Sequence, residues 1–212
     1  MIDESQARAW LTAHFDVSRE TLDRLDAFAA LLRDEGRKHN LVSAASLDRL
    51  WSRHIVDSAQ LIRFAPDPEA SWVDLGSGAG FPGLIVAALR RGPVTLIEER
   101  RLRVEFLHRA ADTLGIAVEI VGARVERVAR RAFDVISARA FAPLPRLLEL
   151  GSRFSTGNSI WILPKGKTAQ TELEAVRPSW QGDFRLEPSL TDDAARIVVA
   201  SAVKKLKGKG KA

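Results

Sequence analysis

Apolar residues recur at helical spacing through the first third of the chain. Leu22, Leu25, Phe28 and Leu32 share one helical face in residues 18–40, and Ser18 stands where an N-cap belongs. Residues 46–64 repeat the pattern with Leu47, Leu50, Trp51, Ile55, Ala59 and Ile62. The stretch between them, residues 40–46, reads as a loop, and two prolines in residues 65–71 set a boundary near residue 68. Beyond it the period changes. Short apolar runs at 72–75, 94–98, 117–121, 133–140, 159–163 and 195–203 read as strands. Helical patterns at 81–90, 100–115, 144–154 and 171–176 separate them, with Pro82 tolerated in a first turn and Gly115 as a stop. Strands alternating with helices predict an α/β fold with a parallel sheet covered on both faces. Trp51, Trp72 and Trp161 lie inside apolar runs and read as core.

Composition narrows the class. A chain of 212 residues with 46% apolar content suits one domain with an appendage. No apolar stretch approaches the roughly 20 residues of a membrane span. The opening "MIDESQARAW" is acidic and polar, unlike a signal peptide, so the expected location is the cytoplasm. Cysteine is absent, which excludes disulfides, thiolate metal sites, iron–sulfur clusters and a cysteine nucleophile. His14, His39, His54 and His108 show no metal-site spacing, and no metal is expected.

The net charge of +5 equals the contribution of Lys204, Lys205, Lys207, Lys209 and Lys211 near the end of the chain. Residues 204–212 therefore read as a basic, disordered tail. The rest is neutral overall but uneven, with 13 arginines against 8 acids between residues 90 and 153. Tail and arginine-rich stretch both suit a polyanion, and both equally suit a solvated surface.

"WVDLGSGAGFPG", residues 72–83, carries the chemistry. It places glycines at the first strand-to-helix turn, where open α/β sheets bind ligands. Gly78, Gly80 and Gly83 satisfy the dinucleotide spacing G-x-G-x-x-G. Asp74, Gly76, Gly78 and Gly80 satisfy a second pattern, acid-x-G-x-G-x-G, which resembles motif I of class I S-adenosylmethionine methyltransferases. The acid bears on the choice. A pyrophosphate prefers a helix N-terminus free of carboxylates, whereas S-adenosylmethionine carries an ammonium and a sulfonium. Glu98, with Glu99 beside it, ends the next strand and suits ribose hydroxyls in either cofactor, but not the 2′-phosphate of NADP. Glu126 follows the third strand; it would reach an adenine amino group or merely pair with Arg130 one turn on.

Five stretches in order are similar to one family: "NLVS…RHIVDS", "DLGSGAGFPG", "RVEFL", "ISARAFAPL" and "LPKGK", from Asn40 to Lys167. The family is the bacterial ribosomal small-subunit methyltransferase G, also called glucose-inhibited division protein B. The resemblance implies a class I methyltransferase fold, with a seven-stranded, mostly parallel sheet and its last strand antiparallel. It divides the chain into an N-terminal helical segment (1–68), a Rossmann-like domain (69–203) and the tail. It implies methyl transfer from S-adenosylmethionine to N7 of a guanosine in the decoding region of 16S ribosomal RNA, in the small ribosomal subunit. Carried over by motif, the cofactor residues are Gly76, Phe81, Val125, Glu126 and Arg139, with Glu98 where the family places a carboxylate; the acid-glycine pattern adds Asp74, Gly78 and Gly80. Where the family often has "ALKG", this chain has Leu163-Pro164-Lys165-Gly166, and its basic end is longer.

Attack by guanine N7 releases no proton from the nucleophile, so transfer needs positioning and desolvation more than a base. The chain accordingly lacks a "DPPY"-like tetrapeptide. Arg139 is the expected catalytic residue, orienting the reactants through its planar donors. N7 lies on the major-groove edge, which A-form RNA hides, so the target should be unstacked. Arg53, His54, Phe141, Lys165 and Lys167 are the candidate RNA contacts; Arg53 could instead pair with Asp57, and Phe141 could be core. Nothing suggests a coiled coil, and a monomer is expected. Two other classes remain open: an NAD-dependent oxidoreductase, for which the absence of Tyr leaves no usual proton donor, and a non-catalytic RNA-binding module with a nucleoside pocket.

Overall fold

In the computed structural model, which describes residues 1–39 and 41–206, three helices open the chain: α1 (Ala7–His14), α2 (Arg19–His39) and α3 (Ala44–Leu47). Asn40 and Lys207, Lys209 and Lys211 lie outside the described residues. Ser18 caps α2 as its chemistry predicts, its Oγ accepting from the Thr21 amide at 3.1 Å. The single helix expected over 46–64 is instead a series of turns. A π-helical turn (Trp51–Val56) leads into α4 (Asp57–Ala59) and a 3₁₀ turn (Gln60–Phe64). The reason is at the other end of the segment. The Glu4 carboxylate accepts from the amides of Trp51 (3.0 Å) and Ser52 (2.8 Å), so a fresh helix starts there. The expected loop at 40–46 contains the start of α3, a second departure.

Then follow β1 (Trp72–Leu75), α5 (Gly83–Leu89), β2 (Val94–Glu98), α6 (Arg101–Leu114), β3 (Glu119–Gly122) and β4 (Val135–Ser137). After them come α7 (Leu144–Gly151), β5 (Ile160–Lys165), α8 (Ala169–Val176), β6 (Trp180–Pro188) and β7 (Arg196–Lys205). One seven-stranded sheet runs β3-β2-β1-β4-β5-β7-β6, parallel except for β7, which is antiparallel to both its neighbours. This is the sheet the resemblance implies. β6 has no counterpart in the sequence pattern: it is an edge strand with a bulge between Gln181 and Asp183 and mostly polar outward positions. β7 runs on through Lys204 and Lys205, which the pattern assigns to the tail; Lys205 pairs with Glu149 at 3.3 Å.

Two apolar layers sandwich the sheet. Trp161, with Leu144, Leu148 and Phe154, fills one side. On the other, Trp72 and α5 share a continuous core with Leu25, Phe28, Leu32, Leu50 and Ile55 of the N-terminal segment. Trp72 and Trp161 have no exposed surface and Trp51 is buried; truncating such a tryptophan costs about 3–5 kcal/mol. This shared layer seats the N-terminal segment against the sheet. The chain order β1-β2-β3 runs outward and returns to β4 on the far side of β1, so the loops after β1 and β4 face each other at the carboxyl ends of these two central strands.

Candidate active site

The loop after β1 leaves the strand with Gly76 and Ser77 both donating to the Ile97 carbonyl, at 2.8 and 3.1 Å. Gly76, Gly78 and Gly80 hold φ at +69°, +59° and +93°. At Gly76 the need is steric as well as torsional, because a Cβ there would stand 2.2 Å from Phe141 Cδ2. Two clefts meet at this contact. One, of about 810 Å³, lies between the glycine loop, the π-helical turn and the β6–β7 connection. The other, of about 350 Å³, runs along the ends of β2 and β3. Gly76 and Phe141 line both.

Glu98, Val125 and Glu126 line the smaller cleft. The buried Glu98 carboxylate accepts from the Gly78 and Arg100 amides, each at 2.9 Å, and Arg103 stands 3.8 Å away. Glu126 is exposed and pairs with Arg146 at 2.9 Å, not with Arg130, the alternative partner one turn on. Arg153 donates to the carbonyls of Val125 and Glu126. Arg146 and Arg153 thus brace the turn from across the sheet edge. Each lies 20 or more residues away in sequence, a separation that no local motif announces.

Asp74 lies beneath the glycine loop. Its carboxylate has no exposed surface and points into the protein. Oδ2 accepts from the Gly83 amide (3.1 Å) and Oδ1 from Ser137 (2.9 Å), whose Oγ in turn accepts from Trp72 Nε1 at 2.8 Å. Burial pushes its pKa up to about 6. Gly83 is glycine for the same reason: a Cβ would come within 3.0 Å of Asp74 Oδ2 and 2.1 Å of Leu96. Asp74 therefore ties the N-terminus of α5 to β4. The ring of Phe81 is also buried, stacked on His54 at 4.8 Å and tilted against Phe28 at 5.6 Å, where the N-terminal segment meets the wall of the larger cleft.

Arg139 lies two residues beyond β4, half-buried, beside Ala140 in a left-handed conformation (φ +52°). Its guanidinium spans the larger cleft's inner wall. It donates to the Arg53 carbonyl (3.2 Å), the Asp57 carboxylate (3.2 Å) and His54 Nδ1 (2.9 Å), over the Phe81 ring. A guanidinium only donates, so Nδ1 of His54 accepts and its proton resides on Nε2. Burial, then the charges of Arg139 and Arg53, lower the His54 pKa to about 3.

Among the expected RNA contacts, His54 and Lys165 line the larger cleft but are engaged within the protein. His54 is neutral and buried, supporting Arg139 rather than offering a cation. Lys165 turns inward, its ammonium 2.8 Å from both the Ala142 carbonyl and Glu172 Oε2, while Glu172 also accepts from the Leu144 amide at the start of α7. Arg53 keeps an exposed guanidinium at the cleft rim, paired with Asp192 at 2.7 Å. Asp57 is thus free of Arg53 and belongs to Arg139. Lys167 is exposed on the loop after β5. Phe141 is half-buried, with one face on Gly76. Asp57, Arg103 and Asp192 were not singled out by the sequence as site residues. Only the placement of the first two inside "RHIVDS" and "RVEFL" could have pointed to them.

No described residues form a metal-binding cluster, and no described helix is long and apolar enough to cross a membrane. Residues 21–190 match the model of the family described as rRNA small subunit methyltransferase G. A relative of that description from Zymomonas mobilis subsp. mobilis is 50% identical over 206 residues, covering 93% of each chain. Another, from Rhizorhabdus wittichii, is 50% identical over 211 residues, covering 98% of this chain and 96% of that one. Among solved structures, the ribosomal protein L11 methylase from Lactobacillus delbrueckii subsp. bulgaricus aligns with a TM-score of 0.57 at 17% identity, over 71% of this chain and 77% of that chain. M. jannaschii TYW2 in complex with AdoMet aligns at 0.53 and 13% identity, over 71% and 77%. At those identities the structures speak for the fold, that of class I methyltransferases. With the family model matching most of its length, the chain belongs to the rRNA small subunit methyltransferase G family.

Proposed function

We propose that the protein transfers a methyl group from S-adenosylmethionine to N7 of a guanosine in the decoding region of 16S ribosomal RNA. The observation that carries this reading is the meeting of the two clefts at Gly76. A nucleoside lying along the smaller cleft would have Glu98 for its ribose hydroxyls and Val125 and Glu126 beside its base. Its reactive end would then enter the larger cleft beside Arg139. The residues fit the group: a positive-φ glycine loop without Cβ atoms, and an acid at the end of β2. When bound, S-adenosylmethionine supplies an activated methyl sulfonium.

The protein's own residues supply orientation. Arg139, fixed by His54 and Asp57, faces the cleft with donors already in place, so little is lost in ordering it at the moment of reaction. Walls from the β4–α7 loop, the π-helical turn and the β6–β7 connection exclude water from around the base. Arg53 and Lys167 lie at the rim for phosphate contact. Phe141, at the border of the two clefts, can stack on the unpaired base. In this reading the protein acts as a monomer in the cytoplasm on the small subunit. Residues 1–68 form a helical segment that supplies the cleft's outer wall, and 69–203 the methyltransferase domain.

The dinucleotide alternative is not favoured. The family model and the relatives described above are of rRNA methyltransferases. The test is incubation with tritiated S-adenosylmethionine and small subunits from a strain lacking this enzyme, followed by borohydride–aniline cleavage. One strong stop at a 16S guanosine is expected. RNA binding without label would favour the non-catalytic module instead, and label at another base would overturn the target.

A further inference from the structure

Asp57 sits where three separate parts of the chain converge. Its Oδ2 accepts from Arg139 of the β4–α7 loop at 3.2 Å. Its Oδ1 accepts from Thr191 Oγ of the β6–β7 connection at 2.7 Å and from Gln60 Nε2 at 2.9 Å. Gln60, fully buried, in turn holds the same connection, accepting from the Leu190 amide at 2.8 Å and donating to Ser189 Oγ at 3.2 Å. The π-helical turn is what aims Arg53, His54 and Asp57 at the cleft together; such turns concentrate at functional sites.

The charges in the larger cleft give this convergence a chemical meaning. Arg53, Arg103, Arg139, Lys165 and Arg196 line it. The first four face Asp192, Glu98, Asp57 and Glu172 in that order, while Arg196 donates to the carbonyls of Asp193 and Ala195. Arg139 is the cation that projects from the loop after β4, next to the glycine loop. A methyl donor of the sulfonium type is positively charged at the reacting atom, and so is an N7-methylated guanine. A bare guanidinium would repel both.

We infer that Asp57 is a positioning residue and counter-ion: one oxygen fixes Arg139, the other fixes the β6–β7 wall, and its charge makes a cleft built around an arginine hospitable to a cationic donor. The inference rests on the methyltransferase reading. It separates charge from shape, because S-adenosylmethionine and S-adenosylhomocysteine differ at the sulfur by a methyl group and one positive charge.

The test is calorimetric titration of the full-length protein with each compound. Asp57→Asn should weaken S-adenosylmethionine on the order of tenfold more than S-adenosylhomocysteine. Arg139→Gln, which removes the cation and leaves the acid, should shift the ratio the other way. Thr191→Val, which removes the wall attachment and leaves the charge, should leave the ratio at its wild-type value. Equal losses for both compounds in Asp57→Asn, or a ratio unmoved in Arg139→Gln, would overturn the counter-ion role while the methyltransferase reading stood. Wild-type protein that binds neither compound would overturn both.

Discussion

The ring of Phe141 occupies the space in which a side chain on Gly76 would begin, 2.2 Å from where its Cβ would lie. The positive φ of +69° adds torsional strain for any L residue. Gly76→Ala should therefore cost about 1–3 kcal/mol of stability and abolish binding of S-adenosylmethionine. Adding Phe141→Ala should recover part of the stability, because it removes the collision but not the strain. Denaturant midpoints and calorimetry of the two variants check this; a Gly76→Ala protein that binds the donor normally would dismiss the loop as its cradle.

Asp74 and His54 oppose each other in acid. Burial raises Asp74 from 3.8 to about 6, so the folded state holds that proton more tightly. Its stabilising contribution is full below 3.8 and is lost as pH rises through 6. His54 is lowered from 6.5 to about 3, so its contribution is full above 6.5 and is lost as pH falls toward 3. Between about pH 4 and 6 the two slopes cancel. His54→Gln, which can still accept from Arg139, should uncover the Asp74 slope. The variant should lose about 3 kcal/mol from pH 4 to pH 6 relative to wild type. Urea unfolding across that range decides; a variant as flat as wild type would show that neither shift is real.

Lys165 and Lys167 are two residues apart and should behave oppositely. Lys165→Met strands Glu172 and the Ala142 carbonyl in a half-buried site, so it should lower thermal stability and leave the salt dependence of RNA binding alone. Lys167→Ala should leave stability alone and flatten the salt dependence by about one ion. Melting curves and binding titrations over a salt series separate them; a flattened salt slope in Lys165→Met would restore that residue to the RNA surface.

What the sequence made legible was local. Strands carrying apolar runs, the glycine turn and the cap at Ser18 are written in a few adjacent residues, and all are present in the structure. β6 was hidden because an edge strand paired on one side needs no apolar alternation, and its polar positions look like a loop. The break in the helix over 46–64 was hidden because its cause, Glu4, lies 47 residues from Trp51. The site divides in the same way. Gly76 and Glu98 follow from position at strand ends. The inward turn of Lys165 and the neutrality of His54 depend on Glu172 and Arg139, which only the fold brings near. Charged residue types suggested phosphate contact, and only the fold separates the exposed Arg53 and Lys167 from the inward-turned Lys165 and His54.

Arg139 is the strictest test of the site. Its three acceptors come from one turn of the N-terminal segment, and only a planar fork reaches the Arg53 carbonyl, Asp57 and His54 Nδ1 at once. Arg139→Ala should lower single-turnover methyl transfer on the order of 10²-fold or more. Arg139→Lys keeps the charge, but an ammonium cannot hold all three partners, so it should fall between alanine and wild type rather than rescue. If the role were charge alone, lysine would restore the rate. If the role were to hold the N-terminal segment in place, both variants would lose stability and rate in parallel, and lowering the temperature would recover the two together. Orientation predicts a rate deficit that persists in fully folded protein at saturating donor and RNA. Wild-type turnover in Arg139→Ala would remove this residue from the reaction and leave the glycine loop as the part of the site still standing.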